Sequence, residues 1–154
     1  MRLLVLSDSH GRSNLLIDAV EFHPEADAVI FLGDGENDVM LLKSLHPEIK
    51  LYSVCGNCDF GSRLPDFLLE KFGGKTVFAA HGHNEGVKYS LDGLKRKALG
   101  CRASIALYGH THVPDTKYDN EIWFVNPGSA AAGRYAMVDI VENGIVPILC
   151  DLYK

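Results

Sequence analysis

The sequence predicts an α/β (α+β) protein in which two β-sheets pack together with helices on the outside. Three observations predict it. From Arg2 to Val54 short apolar runs alternate with amphipathic helical stretches, a β-α-β-α-β order. From Asp66 onward the pattern changes to short strands at close spacing, punctuated by glycine and asparagine turns, with one helical stretch among them. The length of 154 residues, with 47% hydrophobic and 23% charged side chains, falls in the range of one compact domain, residues 1–154.

Each element follows from its residues. Arg2 to Ser7 is a near-continuous aliphatic run, suited to a strand buried on both faces of a parallel sheet, and it breaks at Asp8-Ser9-His10-Gly11. Ser13 or Asn14 is placed to cap a helix carrying Leu15, Leu16, Ala19, Val20 and Phe22, which stops at His23-Pro24. Ala28 to Leu32 is a second buried strand. A second helix, with Val39, Met40, Leu42 and Leu45, closes at His46-Pro47, and Ile49 to Val54 forms the third strand. Both helices share an ending, Phe22-His23-Pro24-Glu25 and Leu45-His46-Pro47-Glu48, so His23 and His46 are read as helix-end residues. Phe67 to Phe72 and Thr76 to Ala80 flank a Gly73-Gly74 turn. A helix is expected from Val87 to about Leu99. Strands follow at Ser104 to Tyr108, Thr116 to Tyr118, Ile122 to Val125, Ala136 to Val141 and Ile145 to Leu149, with turns at Asp119-Asn120 and Asn143-Gly144.

Composition narrows the function. A net charge of -5 argues against a surface that tracks nucleic-acid phosphates, which requires clustered Lys and Arg. The one basic run, Lys95-Arg96-Lys97, reads as a solvated helix face. The apolar run after Met1-Arg2 is too short for a signal peptide, and no stretch is long enough to span a bilayer. Four scattered cysteines, Cys55, Cys58, Cys101 and Cys150, do not resemble a disulfide framework, so a reducing cytoplasmic setting is expected. A homo-oligomer is compatible with all of this.

Setting aside the two helix-end histidines, His10, His81, His83, His110 and His112 lie in short motifs at predicted strand ends. Asp8-Ser9-His10 and His110-Thr111-His112 each place two donors two residues apart, on one side of the chain if the segment is extended. Asp34 follows Leu32-Gly33 at the end of the second strand, and Asn57 follows Gly56 at the end of the third. Strand ends feeding loops on one edge are where open α/β sheets build sites. Asp8, His10, Asp34, Asn57, His81, His110 and His112 offer hard oxygen and borderline nitrogen, suited to Mn, Fe, Co, Ni or Zn at higher coordination and unlike a cysteine-rich structural zinc site. Seven donors exceed what one ion takes from protein. Two ions sharing a carboxylate, one oxygen to each, is the economical arrangement.

The ordered set Asp8-Ser9-His10, Gly33-Asp34, Gly56-Asn57-Cys58-Asp59, His81-Gly82-His83 and Gly109-His110-Thr111-His112 resembles the calcineurin-like metallophosphoesterases over nearly the whole chain. The small size is most similar to their single-domain phosphodiesterase branch, which Asn126-Pro127-Gly128-Ser129 also matches. The resemblance implies a four-layer αββα sandwich of two mixed sheets flanked by helices. It also implies one metal held by Asp8, His10, Asp34 and His112, and another by Asp34, Asn57, His81 and His110, with Asp34 as the bridge. Manganese is the favoured ion. The implied reaction is hydrolysis of a small-molecule phosphodiester by in-line attack of a metal-bridging hydroxide, with no protein nucleophile.

Many family members have histidine after the asparagine, placed to protonate the leaving oxygen. Here Cys58 stands there, and a thiol is a poor proton donor, so good leaving groups are expected. Cys55-Gly56-Asn57-Cys58 is formally a C-x-x-C, but Phe60 to Pro65 reads as loop rather than the helix that would lower a redox thiol's pKa. Asp59 and His83 are placed either to hold metal ligands or to line the cleft. Arg12, beside the first motif, has a guanidinium that can pair with phosphate oxygens. The rival expectation is a non-catalytic scaffold of the same fold, like the retromer subunit. A nuclease is disfavoured by the acidic balance.

Overall fold

In the computed structural model, which describes residues 1–154, the chain forms two five-stranded mixed sheets with three α-helices outside them. The first sheet contains β1 (Arg2–Leu6), β2 (Ala28–Phe31), β3 (Leu51–Ser53), β9 (Arg134–Val141) and β10 (Gly144–Asp151), in the order β10-β9-β1-β2-β3. The second contains β4 (Phe67–Phe72), β5 (Lys75–Ala80), β6 (Ile105–Leu107), β7 (Asp115–Asp119) and β8 (Ile122–Asn126), in the order β4-β5-β6-β8-β7. Helices α1 (Ser13–Phe22) and α2 (Glu36–Leu45) cover the first sheet, and α3 (Asp92–Gly100) covers the second. This is the four-layer αββα arrangement that the sequence led us to expect.

Strand periodicity divides the core into three layers. Leu3 and Val5 of β1, Ala28 and Ile30 of β2, Val77 and Ala79 of β5, and Ile105 and Leu107 of β6 all point between the sheets. Their neighbours point outward: Leu4, Leu6, Val29 and Phe31 pack under α1 and α2 with Leu16, Ala19 and Leu42, and Phe78 and Ala106 pack under α3 with Leu94 and Ala98. A strand buried on both faces has no polar alternation, which is why β1 reads as one aliphatic run.

Within the first sheet β1, β2 and β3 run parallel, and within the second β5, β6 and β8 do. Six strands in the two sheets therefore end in the loops that carry the predicted motifs.

Several sequence expectations are corrected. Neither Ser13 nor Asn14 caps α1: its N-cap is Arg12, whose amide bonds the Ser9 carbonyl, and no side chain caps it. The chain enters α1 straight from the tight turn after β1. The third strand is shorter than expected, because Ile49 still belongs to the turn after α2, its amide on the His46 carbonyl. The third helix begins at Asp92 rather than Val87. Residues before it form successive turns, with Gly86 in the left-handed region and the Val87 amide on the Gly82 carbonyl. The β7–β8 turn uses Asn120-Glu121, one residue later than expected, both at positive φ.

Other readings hold. His23 and His46 are the C-caps of α1 and α2, and each imidazole meets a glutamate, Glu25 at 3.0 Å and Glu48 at 3.3 Å. Two of the three residues in the basic run sit in ion pairs, Lys95 with Asp119 at 2.7 Å and Lys97 with Glu85 at 2.5 Å. No helix is long and apolar enough to cross a membrane.

Candidate metal centre

All seven candidate donors lie at the C-terminal ends of parallel strands: Asp8 and His10 after β1, Asp34 after β2, Asn57 after β3, His81 after β5, and His110 and His112 after β6. The sheets thus bring together residues that are a hundred positions apart in the chain.

The local backbone is not extended, as the Asp-x-His reading assumed. Asp8, His10, Asp34, His110 and His112 all have positive φ, between 46° and 68°, and they make up five of the eight non-glycine residues in that region. This conformation is sparsely populated for side chains other than Asn, Asp and His, and it persists where surrounding bonds over-determine it. Here the Asp8 amide is held by the Gly33 carbonyl at 2.9 Å, the His10 amide by Asp34 at 3.1 Å and the Gly109 amide by His81 at 2.9 Å. Each bond ties one motif to another. The left-handed turns fold each pair of donors back toward the same point.

Two glycines are required by close approach. A Cβ on Gly56 would fall on the Asp34 carboxylate, and one on Gly109 would fall on the Ser7 hydroxyl.

The donors divide their lone pairs. Asp8 Oδ2 accepts from the Ser7 hydroxyl and from the His110 amide at 3.1 Å, leaving Oδ1 facing His112 Nε2 at 3.1 Å and His10 Nε2 at 3.7 Å. Asp34 Oδ1 accepts from the Cys58 amide at 2.7 Å, while Oδ2 lies 3.4 Å from His81 Nε2 and 4.0 Å from His10 Nε2. Asp34 Oδ2 thus faces both histidine groups while Oδ1 is turned to the Cys58 amide. Buried His81 donates through Nδ1 to the Leu32 carbonyl at 2.7 Å, which fixes the tautomer and aims Nε2 at Asn57 Oδ1 (3.0 Å) and His110 Nδ1 (3.2 Å).

Divalent metal fits this set. Neutral His81, with its one N–H already committed, presents a lone pair to the Asn57 and Asp34 oxygens, and only a cation or a proton reconciles acceptors gathered that closely. Two groups of three have mutually close ligand atoms, Asp8–His10–His112 and Asp34–His81–His110, and a third, His10–Asp34–Cys58, lies across them.

Electrostatics agree with a cation site. Burial opposes charge on Asp34, but His81 in its protonated form, a cation at this point, and the Cys58 amide outweigh it and hold the carboxyl well below the usual range. Burial likewise opposes protonated His81, and Asp34 and Asp8 overcome it to raise its pKa. The Cys58 thiol is pushed up by burial and then by the charge of Asp34, so it stays neutral near pH 7.

The other named residues separate clearly. Asp59 points away from the cluster and accepts four backbone amides, from Asp34 (2.8 Å), Gly35 (2.9 Å), Glu36 (3.0 Å) and Gly56 (2.8 Å). It caps α2 from another loop and locks the Asp34 and Asn57 loops together. His83 lies tilted against His81 at 5.3 Å between ring centres, and its Nδ1 is buried without a partner. Arg12 is exposed at the start of α1 and makes no side-chain bond. The Cys55 thiol lies 3.3 Å from the Gly56 carbonyl, and no helix follows the C-x-x-C.

Sequence reasoning missed two anchors. Asp38, in α2, accepts from the Ser9 hydroxyl at 2.5 Å and the Gly11 amide at 2.9 Å, so α2 fixes the first motif. Asn126 enters the sequence reading only as part of a motif that matches the phosphodiesterase branch; it is fully buried and bonds the Gly109 carbonyl and Thr111 hydroxyl, both at 3.0 Å, holding the His110–His112 turn. Neither carries a local sequence signal, because the partners are distant in the chain.

The model of the calcineurin-like phosphoesterase superfamily domain matches residues 1–143. The chain belongs to that superfamily. Among its calcineurin-like relatives, the probable metallophosphoesterase YsnB of Bacillus subtilis (strain 168) is 34% identical over 136 residues, covering 87% of this chain and 78% of the relative. Phosphodiesterase YfcE of Escherichia coli (strain K12) is 26% identical over 178 residues, covering 97% and 91%. The crystal structure of a predicted phosphoesterase from Streptococcus pneumoniae TIGR4 superposes on this calcineurin-like fold with a TM-score of 0.85 at 30% identity, covering 97% of this chain and 88% of that one. Homologues so named support a hydrolase in general.

Proposed function

We propose that the chain is a dinuclear metal-dependent phosphodiesterase acting on small-molecule phosphodiesters. The carrying observation is Asp34 Oδ2, which stands within 4.0 Å of His81 Nε2 on one side and His10 Nε2 on the other. One site would be held by Asp8, His10, Asp34 and His112, and the other by Asp34, Asn57, His81 and His110.

When bound, two divalent ions supply Lewis acidity for the phosphoryl oxygens and an acidified water as nucleophile. Manganese is the favoured ion, over Ni, Co, Fe or Zn, for a donor set that mixes hard carboxylate and amide oxygen with borderline imidazole nitrogen. The chain does the positioning. Ser7 and the His110 amide fix Asp8, the Leu32 carbonyl fixes His81, and the Cys58 amide fixes Asp34 through Oδ1. The absence of a required protein nucleophile suits a site whose nearest thiol is neutral.

A non-catalytic scaffold would gain nothing from seven gathered donors, five of them in left-handed turns, with dedicated anchors. The test is reconstitution of metal-stripped protein with Mn, Ni or Co and assay against bis(p-nitrophenyl) phosphate. Hydrolysis supports the reading, and its complete absence with metal bound sinks it.

Cys58 limits the leaving group. With a weak donor there, activated diesters turn over better than alkyl phosphomonoesters. Cys58→His is expected to raise kcat for a phosphomonoester by roughly tenfold or more, the low end of general-acid contributions being ~10²-fold. Unchanged kinetics in metal-loaded protein would remove Cys58 from the account.

A further inference from the structure

A cavity of about 360 Å³ adjoins the metal centre, and its lining includes His10, Asp34 and Cys58 together with Glu36, Asn37 and Phe60. Its volume lies in the range of small-molecule sites. The Phe60 ring is 92% exposed although the chain has ample core to bury it. Phe60 is also not on a loose tip. The adjacent Asp59 carboxylate takes four backbone amides, the Ser62 amide bonds the Asp59 carbonyl at 3.3 Å, and the Cys55 amide bonds Pro65 at 2.8 Å. An aromatic face held in water by a pinned loop, at the mouth of a cavity, is a preorganised stacking platform.

The rest of the wall sets the charge. The Glu36 carboxylate and the Asn37 amide make no side-chain hydrogen bond or ion pair, and both face the same cavity. A carboxylate there repels a second anionic group and accepts from N–H donors.

We infer that Phe60 and Glu36 select phosphodiesters in which one esterified group is a planar aromatic ring that is uncharged or cationic. The ring stacks on Phe60 while the phosphoryl group lies at the donor cluster. This rests on the phosphodiesterase reading and narrows it. Diesters of simple alkyl alcohols forgo the stacking, and diesters with a further carboxylate or phosphate on the ring meet Glu36.

The test is calorimetric binding of phenylphosphonate and methylphosphonate to manganese-loaded protein, with manganese content measured on the same samples. Wild type is expected to prefer the phenyl compound roughly two- to tenfold, the worth of an aromatic pair. Phe60→Ala should bring that ratio close to one and Phe60→Tyr should restore it. Glu36→Gln should raise the affinity for 4-carboxyphenylphosphonate relative to phenylphosphonate. If both phosphonates bind and the phenyl preference is the same in wild type and Phe60→Ala, the aromatic subsite is wrong and the phosphodiesterase reading stands. If neither binds metal-loaded protein, both fall.

Discussion

Asp34→Ala is expected to lower phosphodiester turnover roughly a thousandfold or more, because loss of the ion pair forfeits several kcal/mol of transition-state stabilisation at 1.36 kcal/mol per factor of ten. The physical reason is its position. Asp34 Oδ2 faces His81 at 3.4 Å and His10 at 4.0 Å, and its other oxygen is already spent on the Cys58 amide. Asp59 is committed to four amides and Asp38 to Ser9 and Gly11, which leaves Asp8 Oδ1, 3.7 Å from His10 and 3.9 Å from His81, as the only other carboxylate oxygen at the cluster, and it is already counted as a donor. Manganese bound per chain, measured beside activity, separates loss of metal from loss of chemistry. Full metal content with full activity in Asp34→Ala would contradict the bridging role.

Asp59→Ala is expected to destabilise the fold by about 2–4 kcal/mol, although its carboxylate is not one of the seven donors. Its removal leaves the amides of Asp34, Gly35, Glu36 and Gly56 without acceptors, and hydrogen bonds to a charged group contribute about 1.5–3 kcal/mol each before water replaces some of them. The same change loosens the loops that carry Asp34 and Asn57, so metal affinity should fall about 10- to 100-fold, as for other residues that orient ligands. Thermal unfolding of the metal-free protein isolates the first effect, and metal titration of the folded protein the second. Asp59→Asn, which keeps one acceptor oxygen, is expected to fall between wild type and alanine on both. An unchanged melting temperature for Asp59→Ala would show that the four bonds carry no net stability.

The two sheets were legible because β1, β2, β5 and β6 are buried on both faces and so stand out as apolar runs. The gathering of seven donors was legible for a different reason: six sit at the ends of such runs and Asn57 follows the half-buried β3, and parallel strands put their ends together. What the residues alone could not give was the means of convergence. Asp8 and His10 looked aligned by strand alternation, whereas left-handed turns held by bonds to Gly33 and Asp34 bring them together. Those bonds join segments some 25 residues apart, and no local pattern encodes them. Asp59 had two open readings for the same reason, since its four partners lie mostly in another motif. Phe60 passed as a loop residue because exposure of an aromatic ring is a tertiary property. The start of α3 was misjudged where apolar spacing from Val87 mimicked a helix that Gly86 and the bonds to Gly82 turn aside.

The central claim is a pair of ions sharing Asp34. It is tested most directly by titrating metal-free wild-type protein with manganese while recording electron paramagnetic resonance spectra. Two manganese ions per chain are expected, with the spectrum of an exchange-coupled pair appearing as the second ion binds, as a separation of ~3.5–4 Å requires. Saturation at one magnetically isolated ion per chain would contradict it.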